Sequence, residues 1–339
     1  MKYMPAYFGL DIGSSSIKIL KLKGNKNVEA VGMAVNPVGR SDLDLPVEQK
    51  TKLVEAVKAL IKESGVKSRN VVLSIPESLV FSRILKLPIM STPELASAIK
   101  WELDQVVPFP PDEIEISWVV IDKPKKKIGN EKMKVFVVAV PKKVSEVYVK
   151  FLTLTGLEPE RIENEILSLA RGLSGFTADK GVSLILDVGA SFTKMVVVEK
   201  EQIYLSHVVP LAGMAMTRMI AETFKIPVNQ AEEYKRVYGV DKSQVEGKIY
   251  NTLVGLMDSL AVEIKKVMAN FSNTEKDKRI ERIVLVGGGA FLKGFTGVLV
   301  EKTGLDVVMG DPFGTIEVAE KIKASGVVFA TALGLAIGE

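Results

Sequence analysis

The sequence predicts an α/β protein built by internal duplication, with a phosphate-binding cleft between its halves. Three observations lead there. The pattern Asp-apolar-Gly-x-Ser-x-x-Lys occurs at Asp11 to Lys18 and again at Asp187 to Lys194, 176 residues later. Each copy lies between two apolar runs (Tyr7 to Leu10 and Ile17 to Leu22; Val182 to Leu186 and Met195 to Val198), the signature of a β-hairpin with a polar turn. A third glycine run, Gly287-Gly288-Gly289, follows a short buried-strand pattern at Ile283 to Val286.

The elements follow in order. The first unit opens with strands expected at 7–10, 17–23 and 28–35. A helix over 48–64 has Leu53, Val57, Leu60 and Ile61 on one face and a stop at Gly65. Val71 to Ile75 reads as a buried strand, completing β-β-β-α-β. An α+β insert comes next. It has an alternating strand at Val80 to Leu87 and a helix capped by Ser91 and Glu94, with Leu95, Ile99, Leu103 and Val106 on one face. Two strands (Ile114 to Ile121; Val135 to Val140) and a helix from Lys143 to Thr155 complete the insert. A helix over Glu163 to Leu173 links the halves.

The second half repeats the plan with strands at 182–187, 193–199 and 203–209. Asn229 and Glu232 read as a capping box, and a long helix near 246–271 carries Leu253, Leu256, Leu260, Ile264, Val267 and Phe271. The apolar segment from Gly326 to Gly338 fits a buried terminal helix.

Composition narrows the function. Of 339 residues, 45 are basic and 41 acidic, and the net charge of +4 is too small and dispersed for a nucleic-acid surface. The basic run Lys123-Pro124-Lys125-Lys126-Lys127 with Gly129-Asn130 reads as a solvated hairpin tip. Absence of cysteine excludes disulfides and thiolate metal sites. The single histidine, His207, lies in a strand pattern and reads as structural. No charged-then-apolar leader opens the chain, and no run approaches the roughly 20 apolar residues of a membrane span.

The turns carry the chemistry. Gly13 and Gly189 let backbone N–H groups approach phosphate oxygens. Ser14, Ser15 and Ser191 add hydroxyls, and Lys18 adds a cation; a pair of unit charges 4 Å apart attracts by roughly 4 kcal/mol at an effective dielectric of 20. Asp11 and Asp187, facing each other beside phosphates, suit Mg²⁺, which prefers oxygen ligands and keeps waters. One such turn alone reads equally as a tight hairpin; two in matching contexts favour phosphate. The Gly287-Gly288-Gly289 run is either close packing or backbone passing near a nucleoside, with Phe291 or Leu292 either over a base or in the core. Glu232, Lys235 and Arg236 either contact ribose and base or form an i,i+4 surface pair.

Asp11-Ile12-Gly13 to Lys18, Asp187-Val188-Gly189 to Lys194 and Val286-Gly287-Gly288-Gly289 resemble the two phosphate loops and the adenosine loop of the actin-like ATPases, which include the heat-shock chaperones and sugar kinases. The resemblance covers essentially the whole chain. It implies two ribonuclease-H-like domains around a cleft that holds ATP or ADP, with Asp11 and Asp187 organising Mg²⁺ through waters. It implies nucleotide contacts from Gly13, Ser14, Ser15, Lys18, Gly189, Ala190, Ser191, Glu232, Lys235, Arg236, Gly287, Gly288, Gly289 and Phe291. Gly213 resembles the ribose-side glycine.

Gly9 to Lys18 and Trp101-Glu102-Leu103-Asp104 to Val107-Pro108-Phe109 further resemble the type IV pilus assembly PilM family, as does the ending at Gly334 to Gly338. That resemblance implies a cytoplasmic ATP-binding scaffold beside the inner membrane, gripping the N-terminal cytoplasmic peptide of a PilN-like membrane protein. A pilus motor ATPase and a second copy of the chain are further partners it allows. The alternatives are an FtsA-like division filament, against which the missing amphipathic tail argues, and a small-molecule kinase.

The subdomains then expected are 1–83 with 151–178 and 326–339; the insert at 84–150; 179–216 with 283–325; and a helical 217–282. The partner groove is expected between the first unit and the insert, along Val80 to Leu87 and the 94–107 helix. Glu163 and Glu165, at the start of the linking helix, are candidates to orient an attacking water or simply favourable first-turn charges.

Overall fold

The computed structural model describes residues 7–24, 27–123, 132–178, 180–200, 202–314 and 316–337. Strands β1 (Phe8–Ile12), β2 (Ser16–Lys23) and β3 (Asn27–Val35) form an antiparallel meander. Helix α1 (Val47–Ser64) crosses to β4 (Asn70–Ile75), which lies parallel to β1. The insert is β5 (Phe81–Pro88), α2 (Thr92–Asp104), β6 (Ile114–Asp122) and β7 (Lys132–Pro141). The chain returns through α3 (Lys142–Thr155) to β8 (Glu158–Asn164), parallel to β4. Then α4 (Glu165–Gly172) and the short α5 (Ser174–Thr177) lead into the second half.

There β9 (Ser183–Val188), β10 (Thr193–Glu199) and β11 (Gln202–Val209) repeat the meander. Helices α6 (Gly213–Phe224), α7 (Val228–Tyr238) and α8 (Lys248–Thr274) precede β12 (Arg282–Val286). Helix α9 (Phe295–Thr303), β13 (Asp306–Met309), α10 (Glu320–Lys323) and α11 (Ala330–Ala336) follow. The two main sheets have matching orders, β3-β2-β1-β4-β8 and β11-β10-β9-β12-β13, with parallel pairing in matching places. The repeat seen in two hairpins thus extends to two whole sheets.

The periodic elements form where their patterns place them. In α1, Leu53, Val54, Val57 and Leu60 are buried, and Gly65 ends the helix at φ 73°. All six apolar residues expected on α8 are buried. The sequence misses the edge strands β8 and β13. β8 carries no apolar run and β13 has only four residues, and Glu163, expected in the linking helix, lies in β8 instead. Helix α2 is capped by Ser91 and Glu94 as expected but stops at Asp104, leaving Val106 exposed. The terminal apolar segment is a 3-10 turn at Gly326–Val328 followed by the wholly buried α11. The basic run from Pro124 onward, with Gly129-Asn130, lies outside the described residues, as does Gly338. Among the described residues no helix is long and apolar enough to cross a membrane.

The insert belongs to two cores. Along β7, Met133, Val135, Val137 and Ala139 pack with Leu85, Leu87, Leu95, Ile99 and Leu103. Phe136 and Val138, on the opposite face as strand alternation requires, join the apolar core of the second half. Polar contacts rim this second docking. Lys86 and Lys134 both reach Glu275 (2.8 and 3.0 Å), and Gln202 donates to Asp122 (2.9 Å). Lys134 also lies 4.1 Å above the Tyr204 ring.

The linking helix α4 crosses α11 backbone to backbone. A Cβ on Gly334 would lie 1.7 Å from the Ser168 carbonyl oxygen, and one on Gly172 would lie 1.9 Å from that of Ala330. Arg171 Nη1 donates to the Gly334 carbonyl (2.8 Å) at the same crossing. Gly334→Ala should therefore destabilise the chain by roughly 1–3 kcal/mol or more, because neither backbone can retreat. A urea midpoint within error of the wild type would contradict this contact.

Candidate functional site

Each repeated hairpin builds the same local structure. Asp11 is the cross-strand partner of Lys18, and Asp187 of Lys194. Residues directly opposite share a face, so each lysine meets its own aspartate: Lys18 Nζ to Asp11 Oδ2 is 2.9 Å, and Lys194 Nζ to Asp187 Oδ2 is 2.8 Å. The turns close alike, with Gly13 N–H donating to Ser16 O and Gly189 N–H to Phe192 O, both at 3.0 Å. In the first turn Ser14 is half-buried, 3.4 Å from the Ser41 hydroxyl, and Ser15 is exposed. Buried Asn36 braces that turn by donating to Gly13 O and Arg40 O (2.9 and 2.7 Å). In the second, Ala190 and Ser191 are half-buried at the turn.

The symmetry breaks at Lys194. Its ammonium also meets Glu165 Oε2, the first residue of α4, at 2.9 Å. Burial opposes its charge, but Asp187, Glu165 and, more weakly, Asp11 outweigh it and hold the ammonium above its ordinary value. Glu165 of the linking helix and Asp187 of the second sheet thus share one cation. The other oxygen of Glu165 accepts the Glu77 N–H at 2.8 Å. Glu77 follows the C-terminal end of β4, and its carboxylate accepts from Ser82 and Asn164; burial raises its pKa. Glu163 differs from Glu165: its carboxylate is held by Arg161, Arg171 and Ser168, and its side chain is only 7% exposed.

The third glycine run packs against the second hairpin. Gly287 has φ 80°, and a Cβ there would lie 2.2 Å from Asp187 Oδ1. A Cβ on Gly289 would overlap Val188, while Gly288 borders open space. The alternatives for the next two residues separate: Leu292 is in the core and Phe291 is 52% exposed. The start of α6 also touches the second turn, with Gly213 N–H donating to Gly189 O and Met214 N–H to Ala190 O.

Glu232 does not cap α7. The helix begins at Val228 behind Pro227, placing Asn229 and Glu232 inside it. Glu232 instead accepts from Thr217 and Lys235 (both 2.6 Å) and from Arg236 (3.1 Å), and Lys235 reaches Gly213 O (3.0 Å). Burial alone would raise the Glu232 carboxyl, but these donors hold it below the usual range. Burial lowers Lys235, with Glu232 only partly opposing. Arg236 is 77% exposed. His207 meets Glu263 (3.0 Å).

Sequence reasoning assigned no role to Lys194, Glu77 or Asn36. The eighth place of the repeated pattern was the available signal for Lys194. Ligand-bearing residues past the ends of parallel strands were the signal for Glu77. For Mg²⁺, Asp11 and Asp187 each already carry an ammonium, and no group of three or more potential ligands occurs among the described residues. That donor set fits a cation held mainly by waters and phosphate oxygens, rather than one caged by protein.

The chain belongs to the family of type IV pilus assembly protein PilM, which it matches over residues 9–339. A chain of a PilM-PilN type IV pilus biogenesis complex is similar, with 26% identity and a TM-score of 0.86 over 98% of this chain and 97% of that one. The ethanolamine utilization protein EutJ from Carboxydothermus hydrogenoformans is 18% identical (TM-score 0.60, 98% and 89% covered). MreB 5 of Spiroplasma citri, solved bound to AMPPNP, is 14% identical (TM-score 0.52, 97% and 94% covered). With the paired sheets, these likenesses show the two-lobed actin-like fold that the sequence predicts.

Glu232 titrates lower in the folded chain than in the unfolded one. Its contribution is present above the ordinary glutamate pKa and is lost as pH falls through the depressed folded value. Glu232→Gln should cost up to about 1 kcal/mol near neutrality, since the side chain is a third exposed. The gap to wild type in urea midpoint should narrow on acidification; a gap that widens would refute this network.

Proposed function

We propose that this chain is a nucleotide-holding scaffold of type IV pilus assembly, bound to the inner membrane's cytoplasmic side through the N-terminal peptide of a PilN-like protein. The observation that supports nucleotide binding is convergence around Asp187 and Lys194, where the second hairpin, the Gly287 turn and Glu165 at the start of α4 meet. In this reading ATP or ADP lies between Gly13, Ser14, Ser15 and Lys18 on one side and Gly189, Ala190 and Ser191 on the other. Asp11 and Asp187 face Mg²⁺ through waters. Gly213, Glu232, Lys235, Arg236, Gly287, Gly288, Gly289 and Phe291 border the nucleoside. Family membership favours this scaffold over an FtsA-like filament or a metabolite kinase.

The partner reading rests on the likeness to the PilM-PilN complex and on a groove. Of the residues on the expected elements β5 and α2, Leu85, Leu87, Leu95, Ile99 and Leu103 are buried in the insert's own core, while Trp101 is 64% exposed. Between the first unit and the insert, a groove of about 610 Å³ lies where α3 meets the start of β6, lined by Glu115, Ser145, Glu146, Val149, Lys150, Thr153 and Leu154. Ser145 donates to Glu115 across its floor (2.6 Å), and Val149 and Leu154 are exposed (43% and 45%). An extended peptide with apolar anchors and mixed charge suits that lining.

Asp187→Asn should weaken Mg-ATP binding at least tenfold by calorimetry while the chain keeps its circular dichroism; unchanged affinity would defeat the cleft. Val149→Asp should abolish binding of a PilN-type cytoplasmic peptide, measured by fluorescence anisotropy, and leave ATP affinity alone. Retained peptide binding would place the partner elsewhere.

A further inference from the structure

We propose that Lys194 is a built-in restraint on turnover: its ammonium ties the Glu165 carboxylate to the Asp187 hairpin, so the cleft retains a nucleoside triphosphate rather than hydrolysing it. The proposal rests on the nucleotide reading above.

The two hairpin lysines are equivalent by sequence but not by surroundings. Lys18 pairs with the aspartate of its own hairpin, whereas Lys194 bridges Asp187 and Glu165 at 2.8 and 2.9 Å. Glu165 stands at the start of α4, so the bridge joins the linking helix to the second sheet. Both Glu165 oxygens are engaged, Oε2 by Lys194 and Oε1 by the Glu77 N–H. Both side chains of the bridge are only 14% exposed.

Hydrolysis moves a water oxygen onto the terminal phosphorus, breaks the bond to the bridging oxygen, and delivers a water proton to a base, leaving a nucleoside diphosphate and phosphate. The acidic neighbours on this side of the cleft are all restrained. Glu163 is held by two guanidinium groups and Ser168, and Glu77 by Ser82 and Asn164. Among the described residues Glu165 has no guanidinium partner, and to take the proton it must give up a buried ion pair, which is costly when one partner is left behind. Lys194 acts through Glu165, as a positioning residue.

The test uses the full chain and its Lys194→Met and Lys194→Gln variants, with ATP binding measured by calorimetry and phosphate release at saturating Mg-ATP. Wild type should bind and release phosphate near background, and both variants should release it at least tenfold faster. Adding Glu165→Gln to Lys194→Met should return release to background, a reversal that a merely structural lysine would not give. As a readout independent of activity, Mg²⁺ alone should raise the melting temperature of Lys194→Met more than that of wild type, because two carboxylates lose their shared ammonium. Should Lys194→Met fail to fold, Lys194→Gln, which can still donate to these carboxylates, carries the same comparison. Release that stays at background in the variants, or that survives Glu165→Gln, overturns the restraint while leaving nucleotide binding intact. A wild type that binds no ATP overturns the nucleotide reading and the restraint with it.

Discussion

Gly172 and Gly334 lack side chains, and so the backbones of α4 and α11 can touch. Much else in the molecule is positioned by that contact. Helix α4 leaves the last strand of the first sheet and carries the chain to the second. Helix α11 brings the C-terminus back onto the first sheet, where a Cβ on Gly9 of β1 would sit 2.5 Å from the Ala332 carbonyl oxygen. The crossing therefore fixes the spacing of the two sheets. It also fixes Glu165, the first residue of α4, opposite the second hairpin. A methyl group at either glycine would wedge the helices apart and shift the carboxylate that Lys194 holds.

The charged pairs near the cleft are better understood as setting geometry than as a reservoir of stability. Buried ion pairs often contribute little net free energy, because desolvation offsets attraction, yet they are costly to break from one side. Lys18–Asp11 and Lys194–Asp187 hold each turn in one shape and point its carboxylate inward. The second contact of Lys194, with Glu165, ties the second hairpin to the linking helix. Similar logic applies at α7, where Thr217, Glu232 and Lys235 satisfy one another beside the helix that braces the second turn.

Much of this architecture was legible because it is periodic or repeated. The hairpins, α1 and α8 carry strong apolar rhythms, and the doubled Asp-to-Lys pattern foretold matching sheets. Strand β8 was invisible because an edge strand needs no apolar alternation, and β13 because it has only four residues. The second partner of Lys194 was hidden because Glu165 sits on a different element, 29 residues away, and nothing in a local pattern encodes that approach. A groove between the first unit and the insert was expected, but its lining at α3 and β6 carries no local pattern, whereas the apolar residues of β5 and α2 are core.

The insert's seat on the second half has a mechanical consequence. At its centre Phe136 and Val138 are locked in apolar packing, but at its margin Lys86 and Lys134 share a single carboxylate, Glu275. Long ammonium stems can slide around one acceptor over a few ångströms without losing it, while interlocked aromatic and aliphatic groups cannot. Any swing of one half against the other would pivot about the greasy centre and shear the ionic margin. Because small ions screen such a margin, the stiffness of that pivot would be tuned by the salt around it, linking the posture of the insert to the solution outside.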